Sequence, residues 1–229
     1  MSGRPIVSIV VPTLNSARYL REVLDGVVAQ TYGRWELVVV DGGSTDATRE
    51  IAAGYPRTRV LRQRGVGIAD AWNEGIEAAR GELIGFLDSD DVWEPRKLAL
   101  QVAALEADAG VECVISFGRF VLEPGLPPPP GFKPQLLESS HPMPLPTALV
   151  ARRSVFDRIG VFDPRWLVGS DVDWFARLRD AGVRLEVVPE VLLSKRMHDA
   201  NTSTRAGTVV NRELLEVLRE SVRRKRRVS

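Results

Sequence analysis

The chain has 229 residues, 44% hydrophobic and 27% charged, an ordinary globular composition that excludes collagen-like, disulfide-stapled and wholly disordered chains. Its one cysteine, Cys113, excludes an internal disulfide and a cysteine zinc cluster and suits a reducing compartment. The net charge of +1 is unevenly placed: without Arg223, Arg224, Lys225, Arg226 and Arg227 the balance is 26 basic against 30 acidic residues, or −4, so no general nucleic-acid-binding surface is expected.

Ile6 to Val11 is a continuous, β-branched apolar run, which predicts a strand buried on both faces and ended by Pro12. Asn15 predicts a helix N-cap, followed by the amphipathic stripe Leu20, Val23, Leu24, Val27 and Val28. A second strand follows over Trp35 to Val40. Asp41-Gly42-Gly43 then reads as a turn, and Ser44 or Thr45 as the cap of a helix running to about Ala53. Arg59 to Arg62 predicts a short strand, Ile68, Trp72, Ile76 and Ala79 a third helix, and Leu83 to Leu87 a fourth strand. Pro95 opens another helix at a favoured first position. Successive βα units predict an α/β fold with a mainly parallel sheet and right-handed crossovers. Ligands of such sheets bind at the C-terminal strand ends, here Pro12-Thr13, Asp41, the segment after Arg62, and Asp88.

Beyond a strand at Val111 to Phe117, the segment 124–146 holds nine of the fifteen prolines. It predicts a long non-helical loop that faces substrate, in preference to a linker between domains. Asp171 to Ala181 predicts a helix. A terminal helix is expected over Asn211 to Arg227, with Leu214, Leu218 and Val222 as its apolar stripe. Its cationic end, Arg223 to Arg227, suits peripheral contact with acidic lipids at the inner membrane face and equally a solvated tail. No apolar run reaches the roughly 18 residues of a membrane span, and Met1 to Pro5 lacks the apolar core of a secretory signal, so the expected location is cytoplasmic.

The sharpest chemical feature is Phe86-Leu87-Asp88-Ser89-Asp90-Asp91-Val92, three carboxylates directly after a buried strand. Carboxylates this close repel one another, and a divalent cation removes the conflict. Hard oxygen ligands suit Mg²⁺ or Mn²⁺, which keep positions open for substrate phosphates. Two enzyme classes place D-x-D after an apolar strand. One is a nucleotide-sugar glycosyltransferase. The other is a phosphatase of the haloacid-dehalogenase type, with Asp88 as nucleophile. That phosphatase motif belongs on a first strand, whereas several βα units precede it here.

Ser8-Ile9-Val10-Val11-Pro12-Thr13-Leu14-Asn15, Val39-Val40-Asp41-Gly42-Gly43-Ser44-Thr45-Asp46, Ala71-Trp72-Asn73-Glu74-Gly75-Ile76 and Leu87-Asp88-Ser89-Asp90-Asp91 resemble, in order and spacing, family-2 glycosyltransferases of the GT-A fold. Gly160-Val161-Phe162-Asp163, Gly169-Ser170-Asp171-Val172-Asp173-Trp174 and Arg196-Met197-His198-Asp199-Ala200-Asn201-Thr202-Ser203 extend the resemblance over about residues 5 to 205. It implies one GT-A domain over 1–206, with a nucleotide-binding half at about 5–110 and an acceptor half at about 111–206, followed by a basic helix or tail at 207–229.

The resemblance also implies site roles. Pro12, Thr13, Asn15 and Asp41 line the nucleotide pocket. Gly67, Asp70 and Asn73 belong to a pattern D-x-G-x-x-D-A-x-N whose first Asp is Gly65 here, and Asp70 contacts ribose or sugar hydroxyls. Asp88, Ser89 and Asp90 meet the donor diphosphate. Asp90, with help from Asp88 or Asp91, holds Mg²⁺ or Mn²⁺. Arg196 neutralises phosphate charge, and His198 reaches the metal or diphosphate. Asp171 is the general base that deprotonates an acceptor hydroxyl, and Asp173 binds the acceptor or braces the helix. Besides Gly65, two positions depart from the family pattern: Gly42 and Ser170 each stand where an acid is usual. The implied activity is a metal-dependent, inverting transfer from a nucleoside-diphosphate sugar to an unidentified hydroxyl, in glycan, glycolipid or natural-product synthesis. Besides the phosphatase, a non-catalytic nucleotide-sugar-binding protein stays open as an alternative.

Overall fold

A computed structural model describes residues 6–129, 132–199, 201 and 207–228; the side chains of 207–211 and 225–228 lie outside that description. Strand β1 (Val7–Thr13) is buried along its whole length. It lies between β2 (Trp35–Asp41) and β4 (Leu83–Phe86), parallel to both, and β3 (Thr58–Arg62) extends the parallel set beyond β2. The unbroken apolar run of β1 serves two cores at once. Val7, Ile9 and Val11 pack with Leu20, Val23, Leu24 and Val27 of α1 (Leu20–Val28). Val10, by contrast, packs with Trp72 and Ile76 of α3 (Ile68–Ala78). There the helix rests on the strand: a Cβ at Gly75 would lie 2.2 Å from Val10 Cγ1.

After β4 the sheet turns mixed. Among the described residues its order is β3-β2-β1-β4-β8-β6-β9-β5, and β7 (His141–Pro142) pairs with β6. Here β8 (Val150–Arg152) runs antiparallel to β4 and to β6 (Cys113–Leu122), while β9 (Leu185–Met197) runs parallel to β6. The two-residue β5 (Val92–Trp93) pairs antiparallel with β9, Val92 opposite Ser194 and Trp93 opposite Leu193. That pairing lays the acidic segment after β4 against the far end of β9. Helices α2 (Thr48–Ala53), α4 (Lys97–Ala107), α5 (Arg153–Ile159), α6 (Ser170–Asp180) and α7 (Gly207–Val228) complete the fold.

Several local expectations change. The first strand runs through Pro12 to Thr13, because β4 stops pairing after Val10 and no ladder on that side needs the missing N–H. Asn15 is not a helix cap: it takes a left-handed φ of 50°, and its side-chain oxygen accepts the Thr45 amide at 2.9 Å. Neither Ser44 nor Thr45 caps α2: its N-cap is Ala47, and Asp46 just before it accepts the Thr48 amide at 3.0 Å. The proline-rich stretch is non-helical but ordered by 3-10 turns at Pro134–Leu137 and Pro146–Ala148 and by β7. On α7 the inward face is Glu213, Val217 and Ser221, whereas Leu215, Leu218 and Val222 are exposed. The partner surface on α6 explains this, since Asp180 offers a carboxylate to Ser221 Oγ at 2.8 Å and to Arg224 Nε at 3.1 Å. Arg224 is therefore a clamp between helices and not part of a free basic tail; the side chains of Lys225, Arg226 and Arg227 lie outside the described residues.

Candidate active site

A cavity of about 450 Å³ opens where the C-terminal ends of β1, β4 and β9 converge with the starts of α3 and α6. The end of β1 supplies Pro12, the turn after it Leu14, Asn15 and Ser16, and the segment after β4 supplies Asp88, Ser89 and Asp90. Lys195, His198 and Asn201 come from the end of β9 and beyond it. An apolar wall of Ile68, Trp72, Leu145, Pro146, Leu167 and Val168 leads to Asp171 at the first turn of α6.

Carboxylate oxygens of Asp88, Asp90 and Asp91 come within 4.8 Å of one another. Each has its own protein partners. Asp91 is fully buried; its Oδ1 accepts the Arg196 amide at 2.9 Å and its Oδ2 the Lys195 ammonium at 3.0 Å. Lys195 Nζ also reaches Asp88 Oδ2 at 3.1 Å. Asp90 Oδ2 lies 2.8 Å from His198 Nε2 and accepts Asn201 Nδ2 at 3.1 Å. A carboxylate only accepts, so Nε2 carries the proton in the His198–Asp90 pair. Burial works against the Lys195 charge, but Asp91, Asp88 and Asp90 outweigh it and hold the amine protonated well above its ordinary range. Asp88 and Asp90, partly exposed on the cavity wall, present the hard oxygen donors that Mg²⁺ or Mn²⁺ takes.

Asp171 has a different environment. Burial raises its pKa to about 6; the Val172 amide, at 2.7 Å from Oδ1, opposes the shift, and the Asp88 charge adds to it. A carboxylate with raised proton affinity, facing a cavity that also holds acidic oxygen donors, is equipped to take a proton from a hydroxyl.

Others of the expected set stand back from the cavity wall. Thr13 and Asp41 are buried. The Asp41 carboxylate accepts the amides of Gly43 at 3.2 Å and Ser44 at 3.1 Å, so it shapes its own turn. Gly67 opens α3 with a φ of 88°, and its carbonyl accepts Gln63 Nε2 at 2.8 Å. Asp70 folds back to the Val66 amide at 2.8 Å. A Cβ at Gly65 would sit 2.3 Å from that same Asp70 oxygen, so an acid at this position requires Asp70 to turn away. Asn73 joins both backbone groups of Phe162, at 2.8 and 3.0 Å. Asp173 is buried and bonded to Arg177 Nε at 2.8 Å, bracing the helix. Arg196 works behind the acidic segment: its Nε donates to the Asp90 carbonyl at 2.9 Å and its Nη2 to Glu22 at 2.6 Å. Trp174 is fully buried and stacks on Phe156, so it belongs to the core.

Sequence reasoning missed Lys195, Ser16 and Tyr19 on the cavity wall. Ser16 Oγ lies 2.7 Å from Ser89 Oγ, and the Tyr19 ring lies 4.9 Å from the His198 ring. A lysine two residues from a strand end carries no local signal; only the β5–β9 pairing brings it to the acids.

Residues 8–160 match the family described as Glycosyl transferase family 2. An uncharacterized glycosyltransferase of Rickettsia typhi is 31% identical over 215 residues, covering 88% of this chain and 67% of that protein. Staphylococcus aureus TarS 1-349, solved in complex with UDP-GlcNAc, matches with a TM-score of 0.77 at 20% identity, over 96% of this chain and 66% of that one. A mannosyltransferase of Pyrobaculum calidifontis, solved with GDP-Man and Mn²⁺, matches with a TM-score of 0.72 at 24% identity, over 96% of this chain and 65% of that one. The chain thus spans about two thirds of the length of each of these proteins. The family match also overturns the phosphatase alternative: the acidic segment follows the fourth strand of a transferase fold, not the first strand of a phosphatase. The acids after β4, the parallel first half and the family match agree: the chain belongs to glycosyltransferase family 2 and has the GT-A fold.

Proposed function

We propose that the chain transfers a sugar from a nucleoside-diphosphate donor to an acceptor hydroxyl, with inversion at the anomeric carbon and a divalent cation at Asp88 and Asp90. The observation that carries this reading is Asp171, a carboxylate raised to a pKa of about 6 on the wall of the cavity that the two acids share. The sugar nucleotides in the two solved relatives, and the Mn²⁺ in one of them, support the donor class and the ion. Mg²⁺ or Mn²⁺, when bound, neutralises diphosphate charge and stabilises the departing nucleoside diphosphate.

The chain's own residues do the rest. Asn15, Ser16 and Ser89 offer polar groups along the donor side. The apolar wall from Ile68 to Val168 limits water, the competing acceptor. Asp171 takes the acceptor's proton as its oxygen attacks the anomeric carbon. The bond to the diphosphate breaks on the opposite face, and this single displacement inverts the configuration. On this reading residues 5–110 serve the donor and 111–206 the acceptor, in synthesis of a glycan, glycolipid or natural product.

The test is a thermal-shift panel of UDP-, GDP- and dTDP-sugars with Mn²⁺ and with EDTA. A metal-dependent rise with one nucleotide is expected, since a ligand of the folded state raises the melting temperature. Its absence for every nucleotide would overturn the proposal. Donor binding without turnover on any acceptor or on water would instead favour a binding protein.

A further inference from the structure

Lys195 is the one cation among the described residues whose ammonium touches two members of the acidic triad, Asp88 at 3.1 Å and Asp91 at 3.0 Å. It also lines the cavity. An ammonium has three N–H donors, and the two acids take two of them. Among the described residues the third has no acceptor, and the side chain lines the cavity. Asp91 has both oxygens committed, to the Lys195 ammonium and to the Arg196 amide, and no surface exposed to solvent. The triad is thereby divided: Asp91 and Lys195 form a fixed internal pair, Asp90 is held by His198 and Asn201, and Asp88 is shared between Lys195 and the cavity.

Lys195 holds Asp88 through Oδ2, so a divalent ion on the same carboxylate would share it with an ammonium whose positive charge opposes the ion. Its ammonium lines the same cavity as Asp88 and Asp90, where it would offer a positive charge to a diphosphate. We propose that Lys195 is a built-in cation of the diphosphate site, competing with the divalent metal for Asp88 and giving the donor's diphosphate a positive charge that does not depend on metal. This inference rests on the donor reading above. It assigns a substrate-binding role to a residue outside every motif that carries the family resemblance.

The two halves of the idea predict opposite changes in one variant. Lys195→Met should raise the affinity of the nucleotide-free protein for Mn²⁺ several-fold, because Asp88 loses its competing partner. The same variant should weaken binding of UDP and GDP in EDTA by roughly tenfold to a hundredfold, the weight of a hydrogen bond to a charged group. Lys195→Arg should keep the metal-free nucleotide affinity within a few-fold. Lys195→Met leaves Asp91 buried without its partner, so the double variant Lys195→Met/Asp91→Asn, which removes the pair together, is measured beside it. Calorimetry gives the nucleotide affinities, and the free-ion electron paramagnetic resonance signal gives Mn²⁺ binding. Unchanged nucleotide affinity in EDTA, or Mn²⁺ affinity that does not rise, in folded variants would overturn the role of Lys195 and leave the donor reading standing. A wild-type protein that binds no nucleoside diphosphate even with Mn²⁺ would overturn both.

Discussion

The base role proposed for Asp171 and its cost to stability reside in the same carboxylate. Burial lifts its pKa from 3.8 to about 6, so at neutral pH the folded protein keeps a charge that its surroundings disfavour. Between those two values the folded chain binds more protons than the unfolded one, and stability falls as pH rises through that window. Asp171→Asn should therefore stabilise the metal-free protein by about 1–3 kcal/mol at pH 7.5 and by nothing at pH 3.5, read from denaturant melts in EDTA. The same change should lower kcat by about 10²–10⁴, or about 3–5 kcal/mol of barrier. Wild-type kcat/KM should fall as pH drops through about 6, where the base becomes protonated. An Asn variant as active as wild type, or less stable at pH 7.5, would refute the assignment. At the same scale Gly42 shows why a departure from the family pattern is tolerated. A Cβ there would lie 3.1 Å from Gln63 Oε1, the end of a flexible side chain, and 3.4 Å from the Thr13 carbonyl, so glycine fits this turn without being required by it.

Among elements, α7 is tied to the active-site loop by Glu213. Its carboxylate accepts the amides of Leu167 and Val168 at 2.9 Å each and of Gly169 at 2.8 Å, just before the first turn of α6, which holds Asp171. Burial alone would raise the Glu213 pKa, but the three amides outweigh it and hold the group below its ordinary range. Glu213→Ala leaves those amides without an acceptor and should cost about 2–4 kcal/mol at pH 7. A depressed carboxylate pKa contributes stability above the unfolded value and loses it as pH falls through the folded one. The gap between wild type and variant should accordingly narrow below pH 4, and equal melts at pH 7 would refute the anchor. None of this was legible locally, because Glu213 and the loop are 44 or more residues apart. Strands β1, β2 and β4 were legible because they are buried on both faces, and apolar runs such as Leu37 to Val40 announce that. Strands of two and three residues, β5 and β8, carry no readable period, yet β5 delivers Lys195 to the acids. Asp88 and Asp90 were readable because three acids closing an apolar strand need a reason; Lys195 needed the sheet.

For the whole molecule, the packing of α7 decides what its surface meets. No helix among the described residues is long and apolar enough to cross a membrane. The outward face of α7 nonetheless exposes Leu215, Leu218 and Val222, with the exposed Arg219 and Arg223 beside them. Apolar side chains flanked by arginines match a lipid surface of negative charge, where each basic residue contributes about 1 kcal/mol and apolar area adds to it. The opposite face is committed to Asp173 and Asp180 through Arg224, so binding would leave the helix docked and the cavity formed. The protein should cosediment with vesicles containing phosphatidylglycerol and not with pure phosphatidylcholine. Binding should drop in about 1 M salt, where charges are screened beyond about 3 Å. Leu218→Glu, on the outward face away from Glu213, should weaken it by roughly tenfold while leaving nucleotide binding unchanged. Equal binding to both vesicle types, or none to either, would mean that this face meets water or another protein, and that the acceptor need not be presented at a membrane.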